Sequence, residues 1–202
     1  MEASTLLTPS KLWTRAEVLA RPCPVPNSAG VYAWFFDWCP EGIPREELVH
    51  SFGFVLLYVG IAPGPPSAFG KSSRQTLRSR PRYHFRGNAD GSTLRLSLGC
   101  LLSHSLGIEL RRVGSGRRLT FGAGEQALDD WLGRNARIAW MVCNEPWETE
   151  EYLIRTVSLP MNLDQNRHHL FHLRLSEIRR VAKARARELP ISDRKDDRLS
   201  RI

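Results

Sequence analysis

Two stretches, Val31–Trp38 (VYAWFFDW) and Phe52–Ile61 (FGFVLLYVGI), decide how this sequence can fold. Both are short, apolar and rich in aromatic or β-branched side chains, which fit a pleated, buried surface. Punctuation brackets them. Asn27-Ser28-Ala29-Gly30 precedes the first and Cys39-Pro40-Glu41-Gly42 follows it, while Ala62–Gly70, with three prolines and two glycines, follows the second. Such clusters mark turns and loops. The two read as strands that pair antiparallel around an inserted turn of helix. A third strand is expected at Ala136–Cys143 (ARIAWMVC).

Elsewhere the apolar period becomes helical. Ser92 can cap a helix carrying Leu94, Leu98, Leu101 and Leu102, and residues 124–135 place Ala127, Leu128, Trp131 and Leu132 on one face. From Ser72 the chain is helix-friendly and basic, and Pro81 is expected to bring a kink or a short helix break. Ile108–Phe121 suits a β-hairpin on the periphery of the sheet. Pro146, at the favoured first-turn position, opens an acidic helix (WETEEYLIRTV) that Pro160 ends. Residues 174–188 read as a basic helix with a charged tail behind it.

Length and charge bound the function. A chain of 202 residues suits one decorated domain, and 29 Lys plus Arg against 21 Asp plus Glu leave a net charge of +8. That excess favours polyanions through phosphate neutralisation. Cys23, Cys39, Cys100 and Cys143 show no paired spacing, which argues against a zinc site or a disulfide framework and for reduced thiols. The N-terminus lacks a signal-peptide pattern, and no apolar run approaches the ~20 residues of a membrane span. The expectation is a soluble cytoplasmic protein without membrane contact.

Five pieces of sequence carry the chemistry. Gly30-Val31-Tyr32 opens the first strand and Tyr58-Val59-Gly60 ends the second. Leu77-Arg78-Ser79-Arg80 is followed by His84, Glu150 is followed by Leu153-Ile154, and Asn162 lies just past Pro160. Singly, the tyrosines read as core residues, Arg80 as one charge of a basic helix and Asn162 as a turn residue. Their order, together with the E-x-x-L-I…P-x-N spacing, resembles the GIY-YIG endonuclease family over residues 30–162. In two places the sequence departs from the family. The tyrosines are 26 residues apart, which requires an insertion, and Ile61 stands where many members have Lys after the second motif.

The resemblance implies an α/β (α+β) fold: a small, mainly antiparallel three-stranded sheet flanked by helices, with inserted helices and a basic C-terminal helix. The chain then divides into an N-terminal extension (1–29), a nuclease-like domain with insertions (30–165) and a basic helix and tail (166–202). It implies a stand-alone, restriction-type endonuclease that hydrolyses phosphodiester bonds in DNA with Mg²⁺ or Mn²⁺. Tyr32, Tyr58, Arg80, His84, Glu150 and Asn162 become the catalytic candidates, and Glu150 the metal ligand. Lys71, Arg74, Arg78, Arg82, Arg86, Arg174, Arg179, Arg180 and Lys183 are the candidates for contacting nucleic acid. A homodimer is compatible with this scheme.

The residue types suit the reaction on chemical grounds as well. A single carboxylate can hold Mg²⁺, which prefers oxygen ligands, and the guanidinium of Arg80 offers a fork for phosphate oxygens. Tyr32 and Tyr58 can position or deprotonate water, and a phenol acts as a base only where cations lower its pKa. His84 can relay a proton. Which tyrosine is the base, and whether Lys71 replaces the Lys absent at position 61, stay open. On the acidic helix, Glu150 lies three and four residues before Leu153 and Ile154, beside an apolar stripe expected from Tyr152, Leu153, Ile154 and Val157. Glu151 is rotated about 100° further and Glu148 about 200° back.

Two rivals are weighed. One is a catalytically inactive nucleic-acid-binding protein on the same scaffold. The other, a P-loop nucleotide hydrolase, rests on Gly64–Ser72, whose five residues between glycines exceed the four that the motif requires. His168, His169 and His172 near Asp164 could form a metal set, but no cysteine joins them, and the favoured reading places them on a DNA-facing or solvent-facing surface.

Overall fold

The computed structural model describes residues 4–66 and 73–192. In chain order the elements are α1 (Ser4–Leu7), α2 (Arg15–Leu19), β1 (Gly30–Phe36), β2 (His50–Ser51), β3 (Phe54–Ala62), α3 (Ser79–Arg86), α4 (Thr93–Leu101), α5 (Ser103–Leu106), β4 (Arg111–Val113), β5 (Arg118–Thr120), α6 (Gly124–Asn135), β6 (Ala136–Val142), α7 (Pro146–Thr156) and α8 (His172–Glu188). They form two compact units. The first comprises Met1–Arg82 with Gly133–His172, and the second Tyr83–Leu132 with Leu173–Ile202.

The first unit is built on an antiparallel sheet of order β2-β3-β1-β6. The expected three strands are present, and β2 adds a fourth. At two polar residues, β2 is too short for its sequence to show a period of two. It joins β3 through Phe52-Gly53, a two-residue turn with φ of 51° and 80°. Positive φ at both positions suits the right-handed twist of a hairpin, so Phe52, expected to begin a strand, is an exposed turn residue.

β1 is buried along its whole length, which explains its unbroken apolar run. Its odd-numbered residues, Val31, Ala33 and Phe35, pack with Leu56, Val59 and Ala139 against Leu153 and Ile154 of α7. Alternation therefore turns Tyr32 to the opposite face. Leu6 of α1 joins the same core. Trp13 exchanges backbone hydrogen bonds with Ile138 on the outer edge of β6. Between these two contacts and β1, Thr14 and Glu17 form a capping box that starts α2.

The helix expected from Ser72 onward begins only at Ser79. Pro81 consequently sits in the first turn of α3, just after a turn in which the Arg80 amide donates to the Thr76 carbonyl at 2.9 Å. Lys71 lies outside the described residues.

In the second unit, Ser92 caps α4 by accepting from the Arg95 amide, and Leu94 and Leu98 are buried as their spacing predicts. β4 and β5 pair as a hairpin in a two-stranded sheet of their own instead of extending the main one, and β4 also takes a backbone hydrogen bond from the Ser192 amide to the Arg112 carbonyl at 2.8 Å. Arg95 is fully buried in this unit. Its guanidinium donates to the carboxylates of Glu125 and Asp129 and to the backbone carbonyls of His84 and Glu125. Burying that charge is tolerable because each donor finds an acceptor.

Candidate active site

The register of the sheet assembles the site. Tyr32 on β1 stands directly opposite Gly60 on β3. A Cβ built on Gly60 would come 2.6 Å from the Tyr32 hydroxyl, so glycine at this position lets the phenol lie flat across the neighbouring strand. Tyr58, two residues earlier on β3, is half-buried on the same face. Arg80, in the first turn of α3, hydrogen-bonds to the Tyr32 hydroxyl. Burial pushes the Tyr32 phenol well above its ordinary range and the neighbouring Tyr58 adds to the shift, while Arg80 pulls the other way.

Glu150 completes the group. It lies close enough to Tyr32 for its charge to act on that phenol, and its own carboxyl is pushed up to about 7, first by burial and then by the charge of Asp164. The helical phase expected for α7 holds in part. Leu153 and Ile154 are buried, Glu148 is exposed, and Glu151 is paired with Arg155 at 2.6 Å on the surface. Tyr152, expected in the apolar stripe, is 51% exposed. It sits one residue, or about 100°, from Leu153, outside the buried arc.

Asn162 joins the cluster through the backbone. Its side-chain oxygen accepts from the Val59 amide and its side-chain nitrogen donates to the Val59 carbonyl, both at 2.9 Å. The Met161 amide donates to the Leu57 carbonyl at 3.0 Å. The loop after α7 thus completes the β3 edge that two-residue β2 leaves uncovered, and it holds the residue between Tyr58 and Gly60.

His84 belongs to the second unit. It is fully buried, with its Nδ1 2.6 Å from the Ser92 hydroxyl and its carbonyl accepting from Arg95. Several of the expected phosphate contacts are engaged with protein. Arg78 donates to the Val25 carbonyl and Arg82 to the Val18 carbonyl, both at 2.8 Å. Arg180 pairs with Glu177, and Arg179 donates to the Ser97 hydroxyl. Burial, with Arg179 nearby, lowers the Lys183 ammonium pKa. Arg74, Arg86 and Arg174 are exposed.

Among the described residues no three His, Cys, Asp or Glu side chains are grouped to hold a metal, so the histidines at 168, 169 and 172 form no such set. A metal would rely on Glu150, whose desolvated carboxylate beside a second acid suits a hard divalent cation. Sequence reasoning did not assign Asp164 to this neighbourhood. Its position two residues after Asn162 was the available signal.

In this α/β protein a guanidinium bonded to a phenol lies beside a carboxylate that burial pushes toward its neutral form, a set of groups able to meet phosphate oxygens. A family model described as the GIY-YIG catalytic domain matches residues 30–184, and the chain belongs to that family. The match runs past Asn162 and includes most of α8. No curated protein and no solved structure gives a significant match.

Proposed function

We propose that this protein is a divalent-metal-dependent endonuclease acting on DNA, with Tyr32, Tyr58, Arg80 and Glu150 at its reacting centre. The observation that carries the reading is the hydrogen bond of Arg80 to Tyr32 beside Tyr58 and Glu150. In hydrolysis a water oxygen bonds to phosphorus, the P–O bond to the departing sugar oxygen breaks, and the proton released by the water is balanced by one taken up by that oxygen. Arg80 would hold nonbridging oxygens with the part of its fork not engaged with Tyr32. The buried, raised phenol of Tyr32 is suited to donate a hydrogen bond and not to act as a base. Half-buried Tyr58 is left to orient the water. Glu150 would hold the metal, which supplies charge neutralisation at the phosphate and acidifies the water. Asn162 acts as a positioning residue through Val59.

The test is nicking of supercoiled plasmid with Mg²⁺, with Mn²⁺ and with excess chelator. Metal-dependent nicking is expected, with Arg80→Ala at least ~100-fold slower and DNA affinity little changed, as for removal of a group that stabilises developing charge. Cleavage that persists in chelator, or an Arg80→Ala variant as fast as the parent, would sink the proposal.

A second reading, nucleic-acid binding without cleavage, is favoured by one observation. Ile61, in the place where many family members carry Lys, packs against the apolar core. Full DNA binding with no nicking under any metal would select it. The free state of Cys23, Cys39, Cys100 and Cys143 supports a cytoplasmic setting, which fractionation of cells would test.

A further inference from the structure

The second unit contains a cavity of about 370 Å³ between the end of α3, the β4–β5 hairpin and the first turn of α6. It lies among residues that the proposed chemistry does not use. Its rim carries Arg86 and Arg118, both exposed, and neither forms an ion pair among the described residues. Its floor carries Glu125 and Asp129, both bound by buried Arg95. Buried Arg95, behind the floor, pairs with both carboxylates and holds them in place, so positive charge is left at the mouth, where Arg86 and Arg118 stand. An anionic group is therefore drawn to the rim.

Two amide side chains that line the cavity each have one direction of hydrogen bonding committed. The Asn88 side-chain oxygen accepts from the Tyr83 hydroxyl and the Gly91 amide, which leaves its NH₂ as a donor. The Gln126 NH₂ donates to Asp130, which leaves its oxygen as an acceptor. A donor and an acceptor lining one cavity complement a ring nitrogen that lies next to an amino group, the edge shared by adenine and cytosine. Thymine offers no amino group there.

We infer that this cavity binds one nucleotide of the substrate, with the phosphate at Arg86 and Arg118 and an adenine or cytosine read by Asn88 and Gln126. The inference rests on the nucleic-acid reading above and makes the second unit the part that selects sequence. The volume falls within the range of small-ligand sites, and a base can reach such a site only if it leaves the stack or comes from a single strand.

The experiment is calorimetric titration of the full chain, without metal, with dAMP, dCMP, dTMP and inorganic phosphate. Saturable binding of dAMP or dCMP is expected at least ~10-fold tighter than of dTMP or phosphate, the discrimination of one good paired contact. Arg118→Ala should weaken every nucleotide about equally, whereas Gln126→Ala should reduce only the preference between bases. Equal affinity for all four probes would reduce the cavity to an anion site and overturn base reading. No saturable binding, or binding indifferent to Arg118→Ala, would overturn the site itself. Because these readouts need no cleavage, a protein that binds dCMP but never nicks plasmid would refute the nuclease reading alone. Nicking without selective nucleotide binding would refute only the cavity.

Discussion

Glu150 is one of four acids between residues 145 and 151, and its environment alone separates it from the others. Glu151 is bound to Arg155 on the surface, while burial and Asp164 push the Glu150 carboxyl up to about 7. An unfolded chain ionises this group near the ordinary 4.5, so between there and 7 the folded protein holds a proton that the unfolded one has lost. Stability from this residue is therefore present below the ordinary value, falls as pH rises toward 7 and stays reduced above it. Glu150→Gln should raise the metal-free unfolding free energy at pH 8 by roughly 1–2 kcal/mol after allowance for partial exposure, seen as a higher melting temperature, and leave it unchanged at pH 4. Mg²⁺ should raise the melting temperature of the parent at pH 8 and not that of the variant. Cleavage should drop at least ~100-fold for Glu150→Gln and hardly at all for Glu151→Gln. Equal melting shifts at both pH values would mean that the carboxylate is solvated.

At the scale of elements, the site depends on an edge strand completed by a loop. β2 pairs only with the start of β3, and beyond that point Met161 and Asn162 supply the partners. Asn162→Ala removes both side-chain bonds and leaves a buried amide and carbonyl of Val59 unmet, a cost of about 2–3 kcal/mol. Urea denaturation should show that loss, and cleavage should fall with it because Val59 lies between Tyr58 and Gly60. Unchanged urea stability would show that the strand holds its place unaided. Gly60→Ala probes the neighbouring position. Its methyl group would meet the Tyr32 ring, so activity should collapse while the far-ultraviolet dichroism stays that of the parent. An active Gly60→Ala protein would mean that the phenol can move without consequence.

Over the whole molecule the net charge of +8 predicts salt-sensitive binding to DNA. Hydrogen bonds to the Val25 and Val18 carbonyls hold Arg78 and Arg82, and Glu177 neutralises Arg180, so only part of the basic set is available to phosphates. For ~5 phosphate contacts, log K should fall against log salt with a slope of roughly −4 on duplex DNA. A flat response in a binding titration would mean that the exposed arginines meet no phosphate.

The sequence by itself determined the three principal strands, because a strand buried on both faces must be continuously apolar, and β1 and β3 read that way. It also determined the Ser92 cap, the start of α7 at Pro146 and the phase that separates Glu150 from Glu151, all consequences of spacing within a few residues. Only the tertiary structure decided the pairing of Gly60 with Tyr32, the grip of Asn162 on a strand 103 residues earlier, and the burial of His84 beside Ser92. It alone decided that Arg95, one charge in a leucine-rich helix by sequence, anchors the second unit. The physical reason is that periodicity specifies which face of an element is buried. Register, desolvation and the acceptors of a buried charge depend on groups brought together from distant parts of the chain.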